Sequence, residues 1–279
     1  MPRFIDLARI AAIVLLLVLC TLLPYSPGRY DPLAAPLSWM ARLFVATAAL
    51  LVTPIGIVWL IASRGRPRPL GFAIAALVGL SIAWSLMSLA AITESGFTLG
   101  LVVIATGIWT VWRLATRLRV LNRSSPIAPT ATPIYMIAAP ILAAALQLLL
   151  LPPAIEFSRN RAMQNCSRLI ADIERFRVEH GVYPPSLPAN LNDYPLSIVG
   201  IREYRYEPAG EAYNLCFENV AYAFGNREIV VYNPQKNEAT ATTHDWDILN
   251  RPLEQQVRMR GFHASFDAGP PGWKYFWFD

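Results

Sequence analysis

The sequence predicts a membrane all-α domain of five transmembrane helices, followed by an α+β domain in which a long helix packs on an antiparallel sheet. Three observations carry that expectation. Hydrophobic residues make up 54% of the 279 and charged residues only 15%, the proportions of a membrane protein. Five apolar stretches fall in the first 153 residues. After Pro152-Pro153 the pattern turns into a charged helical repeat and then into short alternating segments divided by turn residues. The two domains are therefore read as 1–153 and 154–279.

A bilayer core of about 30 Å needs roughly 20 apolar residues in a helix. Stretches near that length lie at about 8–24, 40–62, 70–92, 97–114 and 134–151. The first also fits a signal-peptide core. The following LLPYSPGRYD offers no small-x-small cleavage site, so the stretch is read as a retained span. The third and fourth are joined only by residues 93–96, enough for a tight helical hairpin.

Orientation follows from the arginines. Residues 1–153 hold eleven Arg and no Lys against Asp6, Asp31 and Glu94, whereas 154–279 hold thirteen basic and sixteen acidic residues. Arg3 and Arg9 open the chain. Arg64, Arg66 and Arg68 fill one loop, and Arg113, Arg117, Arg119 and Arg123 flank another. The alternate connections, 25–39 and 93–96, carry only Arg29. The positive-inside rule then puts the N-terminus in the cytoplasm and residues 154–279 outside it, in the periplasm if the membrane is a bacterial inner membrane. Arg159 and Arg161 run mildly against this. The charge marks cytoplasmic loops, not a nucleic-acid surface, and no nucleic-acid-binding module is present.

No ionisable residue lies in the middle of a span, and Gln147 is the strongest polar side chain at that depth. Ion pumps and proton-coupled carriers place ionisable groups there, so a transporter or channel component with the outer domain as a cap is the second reading. Gly71, Ala75 and Gly79 repeat small residues every four positions. That suits close helix packing and admits a homo-oligomer. Pro54 and Pro140 are kink candidates. Residues 96–99, GFTL, are similar to the cleavage site of type IV prepilins. Leu101, however, stands where that family has Glu, so the match is read as coincidence.

Beyond Pro153, Met163, Cys166, Leu169, Ile170, Ile173 and Phe176 recur at three- and four-residue spacing, with charged residues on the other face. This predicts an amphipathic helix, broken from the fifth span at the two prolines. Arg168–Asp172 and Arg175–Glu179 are candidate i,i+4 pairs. His180 and Gly181 end the helix, and Pro184-Pro185 forbid its resumption. Strand-like runs follow: 203–207, 212–218, 220–224, 228–233 and 238–243, with the aromatic 272–279 as a last strand. They predict an antiparallel meander beside one helix. The final aromatics would otherwise rest at the bilayer interface.

The helix, then G-x-Y-P-x-S-L, then Y-x-Y-x-P-x-G-x-x-Y-x-L-x-F resembles the headpiece of type II secretion pseudopilins and type IV pilin-like proteins. Gly181, Tyr183, Pro184, Ser186, Leu187, Tyr206, Gly210, Tyr213, Leu215 and Phe217 stand at the matching points. The resemblance implies a pilin-like headpiece fold. It says little about polymerisation, because four spans precede the equivalent helix here. Pseudopilin calcium sites lie late in the headpiece, but HDWD at 244–247 supplies too few carboxylates for one.

The chemistry-bearing residues form no catalytic set. His180, His244 and His263 lack metal-ligand spacing, and Glu174, Glu179, Asp245 and Asp247 lack catalytic pairing. No cofactor is expected. Cys166 and Cys216 both fall in the outer domain and form a candidate disulfide. Strand alternation with Leu215 and Phe217 can instead turn Cys216 away. The reading is a non-enzymatic anchor presenting an interaction domain to another envelope protein through residues 154–279. A membrane enzyme acting on lipid or cell-wall precursors is the third alternative, with Arg29, Asp31 and Glu94 as its only loop candidates.

Overall fold

The computed structural model describes residues 4–62, 69–95, 97–121, 132–187, 194–209, 212–220, 227–234 and 263–278. The chain is mostly helical, with a small antiparallel sheet, and divides into two compact units. One comprises residues 1–23 and 33–151, the other residues 24–32 and 152–279.

The first unit contains α1 (Phe4–Leu22), α2 (Ala34–Ala62), α3 (Pro69–Ser95), α4 (Phe97–Leu121) and the beginning of α5 (Thr132–His180). By length and hydropathy α1, α2, α3 and α5 suffice to cross a membrane, while α4 has a shorter apolar run, Gly100–Thr116. Val14 and Val18 of α1, Val45 of α2 and Ala143 of α5 form one buried cluster. Close approach is set by glycine, but not along the whole Gly71–Gly79 row. Gly79 lies against Leu51 of α2, whereas a Cβ on Gly71 would meet nothing within 4 Å. Tighter sites include Gly56, where a Cβ would come 3.1 Å from the Pro133 carbonyl, Gly100, where it would meet Ile92 at 2.2 Å, and Gly107, where it would strike the Trp84 ring at 2.3 Å. The Trp84 indole N–H donates to the Val103 carbonyl at 2.7 Å, tying α3 to α4.

Helix α5 runs unbroken through Pro152-Pro153, so the expected break is absent. Each proline removes one backbone donor from the helix without ending it. The helix ends as the sequence implies. The Gly181 N–H bonds the Arg177 carbonyl at 2.8 Å, and φ of +76° at Gly181 is left-handed, a conformation open to glycine. His180 stacks on Phe176 and turns Nδ1 toward its carbonyl. The surface pairs differ from expectation. Tyr194 donates to Asp172 at 2.6 Å, Arg175 pairs with Asp172 at 3.0 Å, and Arg168 lies over the Tyr194 ring.

The sheet comprises β1 (Arg205–Ala209), β2 (Ala212–Asn219), β3 (Arg227–Tyr232), β4 (His263–Asp267) and β5 (Trp273–Phe278), in the order β1-β2-β3-β5-β4. All pairings are antiparallel. β2 pairs directly with β3, so the expected 220–224 strand does not intervene; residues 221–226 and 238–243 lie outside the described residues. The terminal aromatics do form a strand, inserted between β3 and the unanticipated β4. Period-2 alternation divides the sheet faces. Tyr213, Leu215, Phe217, Val230 and Trp273 join Cys166, Leu169 and Ile173 of α5 in the main core. Cys216, Ile229, Val231 and Phe276 form a second buried cluster on the opposite face.

The segment 24–32, between α1 and α2, is part of this second unit. Tyr25 is fully buried and donates to the Val220 carbonyl at 3.2 Å. Four backbone bonds join the segment to 197–200: Gly28 N–H to Ser197 O, Asp31 N–H to Val199 O, Val199 N–H to Ser26 O and Gly200 N–H to Pro24 O. A Cβ on Gly200 would sit 2.6 Å from the Pro24 carbonyl, so this approach needs glycine.

Candidate functional site

Among the described residues of the second unit, the strongest concentration of polar chemistry joins α5 to the ends of β2, β3 and β5. Arg159 pairs bidentately with Glu228, Nε to Oε1 and Nη2 to Oε2, both at 2.9 Å. Glu228, on β3, also accepts from Asn219 Nδ2 at 3.0 Å and from the Trp277 indole at 2.8 Å. The β3–β5 register puts Glu228 opposite Trp277. Ser158 donates to Asn219 Oδ1 at 3.1 Å. The Arg159 guanidinium lies 3.7 Å from the Tyr275 ring centroid. Ser158, Arg159, Asn219 and Glu228 are buried, while Trp277 keeps part of its ring exposed. A buried carboxylate is tolerable when its charge is paired and its other hydrogen-bonding positions are filled, as those of Glu228 are. Four donors around one carboxylate leave it poorly placed to take a proton from a substrate. The cluster ties α5 to β2, β3 and β5.

A second set gathers Tyr183, Tyr206 and Tyr213. Tyr213 donates to Glu174 at 3.2 Å, and Arg177 donates to the Tyr183 hydroxyl at 2.6 Å. Tyr206 donates to the Pro184 carbonyl at 2.8 Å. The Tyr183 and Tyr206 rings lie 4.8 and 5.5 Å from that of Tyr213. Burial, followed by the Tyr183 and Glu174 charges, pushes Tyr206 up to about 12. Burial and then Glu174 also raise Tyr213. These hydroxyls stay protonated and serve as donors. Pro184 is buried, Ser186 exposed, Leu187 packs against the core, and Leu215 and Phe217 are fully buried. Gly210 lies outside the described residues.

The Cys166–Cys216 disulfide is not formed; both thiols are free. Cys166 faces the main core and Cys216 the cluster on the other side of the sheet. The alternation of β2 that buries Leu215 and Phe217 against α5 turns Cys216 away. Burial pushes the Cys166 thiol up to about 12 and also raises Cys216, so neither is a ready nucleophile.

Gln147 does not line an open path. It is buried and donates to Thr21 at 2.8 Å, while Ser38 donates to the Thr21 carbonyl at 2.7 Å. Arg42, which the span boundaries obscured, lies 3.9 Å over the Trp39 ring. Among the described residues no three His, Cys, Asp or Glu come together as metal ligands; residues 244–247 lie outside them. A hollow of about 130 Å³ between Asn233, Asp267 and the 269–272 turn is smaller than the ~300 Å³ of an ordinary small-molecule site.

Sequence reasoning missed the Arg159–Glu228 pair and the buried Tyr25. The only signals were an arginine at odds with the charge rule and a tyrosine- and proline-rich loop. No protein-family model, curated protein or solved structure matches the chain.

Proposed function

We propose that the chain is a non-enzymatic protein of a bacterial inner membrane. It crosses the bilayer five times and holds a periplasmic, pilin-like domain that binds another envelope protein. The observation that carries the topology is the folding of residues 24–32 into one unit with 152–279. A folded unit joined by buried hydrogen bonds stands on one side of a bilayer. On this reading residues 33–151 cross an even number of times. That supports crossings by α2, α3, α4 and α5, although the apolar run of α4 is short. With α1 the total is five, and the arginine-rich loops then face the cytoplasm.

The interaction role rests on the headpiece resemblance and on the closed character of the polar clusters. The Gln147–Thr21 bond favours helix packing over a transport path. Two measurements test the reading. Reporters active only outside the cytoplasm, placed at residue 28 and after Asp279, should both be active, and one at residue 125 silent. Opposite signals at 28 and 279 would sink the topology. Photo-crosslinking from exposed Val178 and Val182 in intact membranes should trap an envelope protein; no adduct from either site would remove the interaction role.

A further inference from the structure

We infer that one end of the second unit is seated in the headgroup layer of the bilayer, through the exposed aromatic side chains of Tyr30, Phe157 and Trp277. This rests on the membrane reading and goes beyond it, because a domain on a membrane protein can equally stand clear in water.

The unit has three covalent junctions with apolar helices, at 23/24, 32/33 and 151/152. No linker stands at any of them. Hydrogen bonds draw the neighbouring residues to a single end of the sheet. Pro24 holds Gly200, Asp31 holds Val199, and Tyr25 reaches the Val220 carbonyl just after β2. Asn219 at the end of β2 touches the Ile155 carbonyl and Glu228, and Glu228 holds Trp277.

This end exposes large aromatics. Tyr30 is 45%, Phe157 48% and Trp277 38% exposed. Tyr30 lies three residues from Leu33, a reach of at most about 10 Å. Phe157 lies six residues beyond Leu151 along α5, about 9 Å at helical rise. The headgroup zones add roughly 10–15 Å in total, about 5–8 Å on each face of the hydrocarbon core. The Tyr30 reach is a maximum, and helical side chains lean toward the helix N-terminus, which turns Phe157 back toward Leu151, so both rings can reach that layer. Aromatic rings are enriched there because they combine an apolar body with a polar edge or face. The Arg159–Glu228 cluster fits the same location. Where water is scarce, a carboxylate must be satisfied from within the protein, and Glu228 is, by Arg159, Asn219 and Trp277.

The test uses the full chain with Cys20→Ala, reconstituted in phosphatidylcholine/phosphatidylglycerol vesicles. The buried Cys166 and Cys216 remain unlabelled. A nitroxide is attached at Tyr30→Cys or Phe157→Cys, with Val178→Cys and Leu149→Cys as references, these being 84% and 69% exposed. Accessibility to oxygen is compared with accessibility to a water-soluble nickel chelate. The expected ratio at residues 30 and 157 is several-fold above that at residue 178 and below that at residue 149. Ratios at both sites equal to residue 178, with residue 149 lipid-like, would overturn the seating and leave the membrane reading intact. A water-like residue 149 would overturn both.

Discussion

The two units bury polarity in opposite ways. Among the described residues of the helical unit the buried side-chain hydrogen bonds are few and uncharged, among them Gln147 to Thr21, Ser38 to the Thr21 carbonyl and Trp84 to the Val103 carbonyl, and the Arg42 guanidinium lies over the Trp39 ring. In the sheet-bearing unit they are pooled, with a carboxylate, a guanidinium, two amide or hydroxyl side chains and an indole in one closed cluster. A helix satisfies its own backbone, so its neighbours need only close packing and an occasional bond. A sheet whose strands are far apart in sequence gains definition from a polar anchor that accepts one register. The second unit should therefore depend far more on individual polar residues than the first.

Alkaline pH gives the sharpest contrast. The second unit holds ten of the eleven tyrosines and two of the three cysteines. The Cys166 thiol stands at about 12 when folded against 9.0 when exposed. Between those values the unfolded chain loses a proton that the folded chain keeps, so stability is intact below pH 9 and falls as pH rises toward 12. Cys166 alone contributes on the order of 4 kcal/mol by pH 12, and the raised tyrosines add to it. Near-ultraviolet circular dichroism should show the sheet unit melting across this window while far-ultraviolet helix signal largely persists. Coincident loss of both would break the comparison.

Arg159→Ala probes the anchor directly. It leaves Glu228 buried without its counter-charge, a defect that costs about 3–5 kcal/mol. Limited proteolysis should cut residues 152–279 while the helical fragment survives. The double variant Arg159→Met, Glu228→Leu should recover most of the loss, because neither charge remains stranded. If the double variant is as damaged as the single one, the cluster is not the anchor.

How much of this was legible depends on sequence range. The apolar stretches, the α5 stripe and its Gly181 stop were readable because each is local. The hairpin of β1 and β2 was visible from alternation around 208–211. The Arg159–Glu228 pair spans 69 residues, and the 24–32 segment meets partners at 197–200; no local pattern encodes either. β4 was missed because five residues with one aromatic form too short an alternation to stand out. The unbroken course of α5 was hidden by two prolines that would end most soluble helices.

Glycine substitutions test whether both units rely equally on close approach. Gly200→Ala sets a methyl group against the Pro24 backbone, and Gly107→Ala sets one against the Trp84 ring. Overpacking costs about 1–3 kcal/mol. Gly200 should lie at the upper end, since a backbone carbonyl cannot rotate aside as a side chain can. Thermal unfolding in detergent, followed by protease sensitivity of each unit, separates the two. Equal losses would mean that Trp84 is as constrained as the backbone.

The smallest effect belongs to Gln147. Replacing it with Leu removes one hydrogen bond between α5 and α1 and leaves Thr21 still donating to the Leu17 carbonyl at 2.8 Å. Because the Thr21 hydroxyl keeps a partner, nothing polar is stranded in the helical core. Bonds of this type average about 0.6 kcal/mol in membranes. Gln147→Leu should shift unfolding by that order, well below Arg159→Ala. A loss as large as that of Arg159→Ala would show that the helical unit also hangs on a polar anchor. It would also return Gln147 to consideration as a functional group in a transport path.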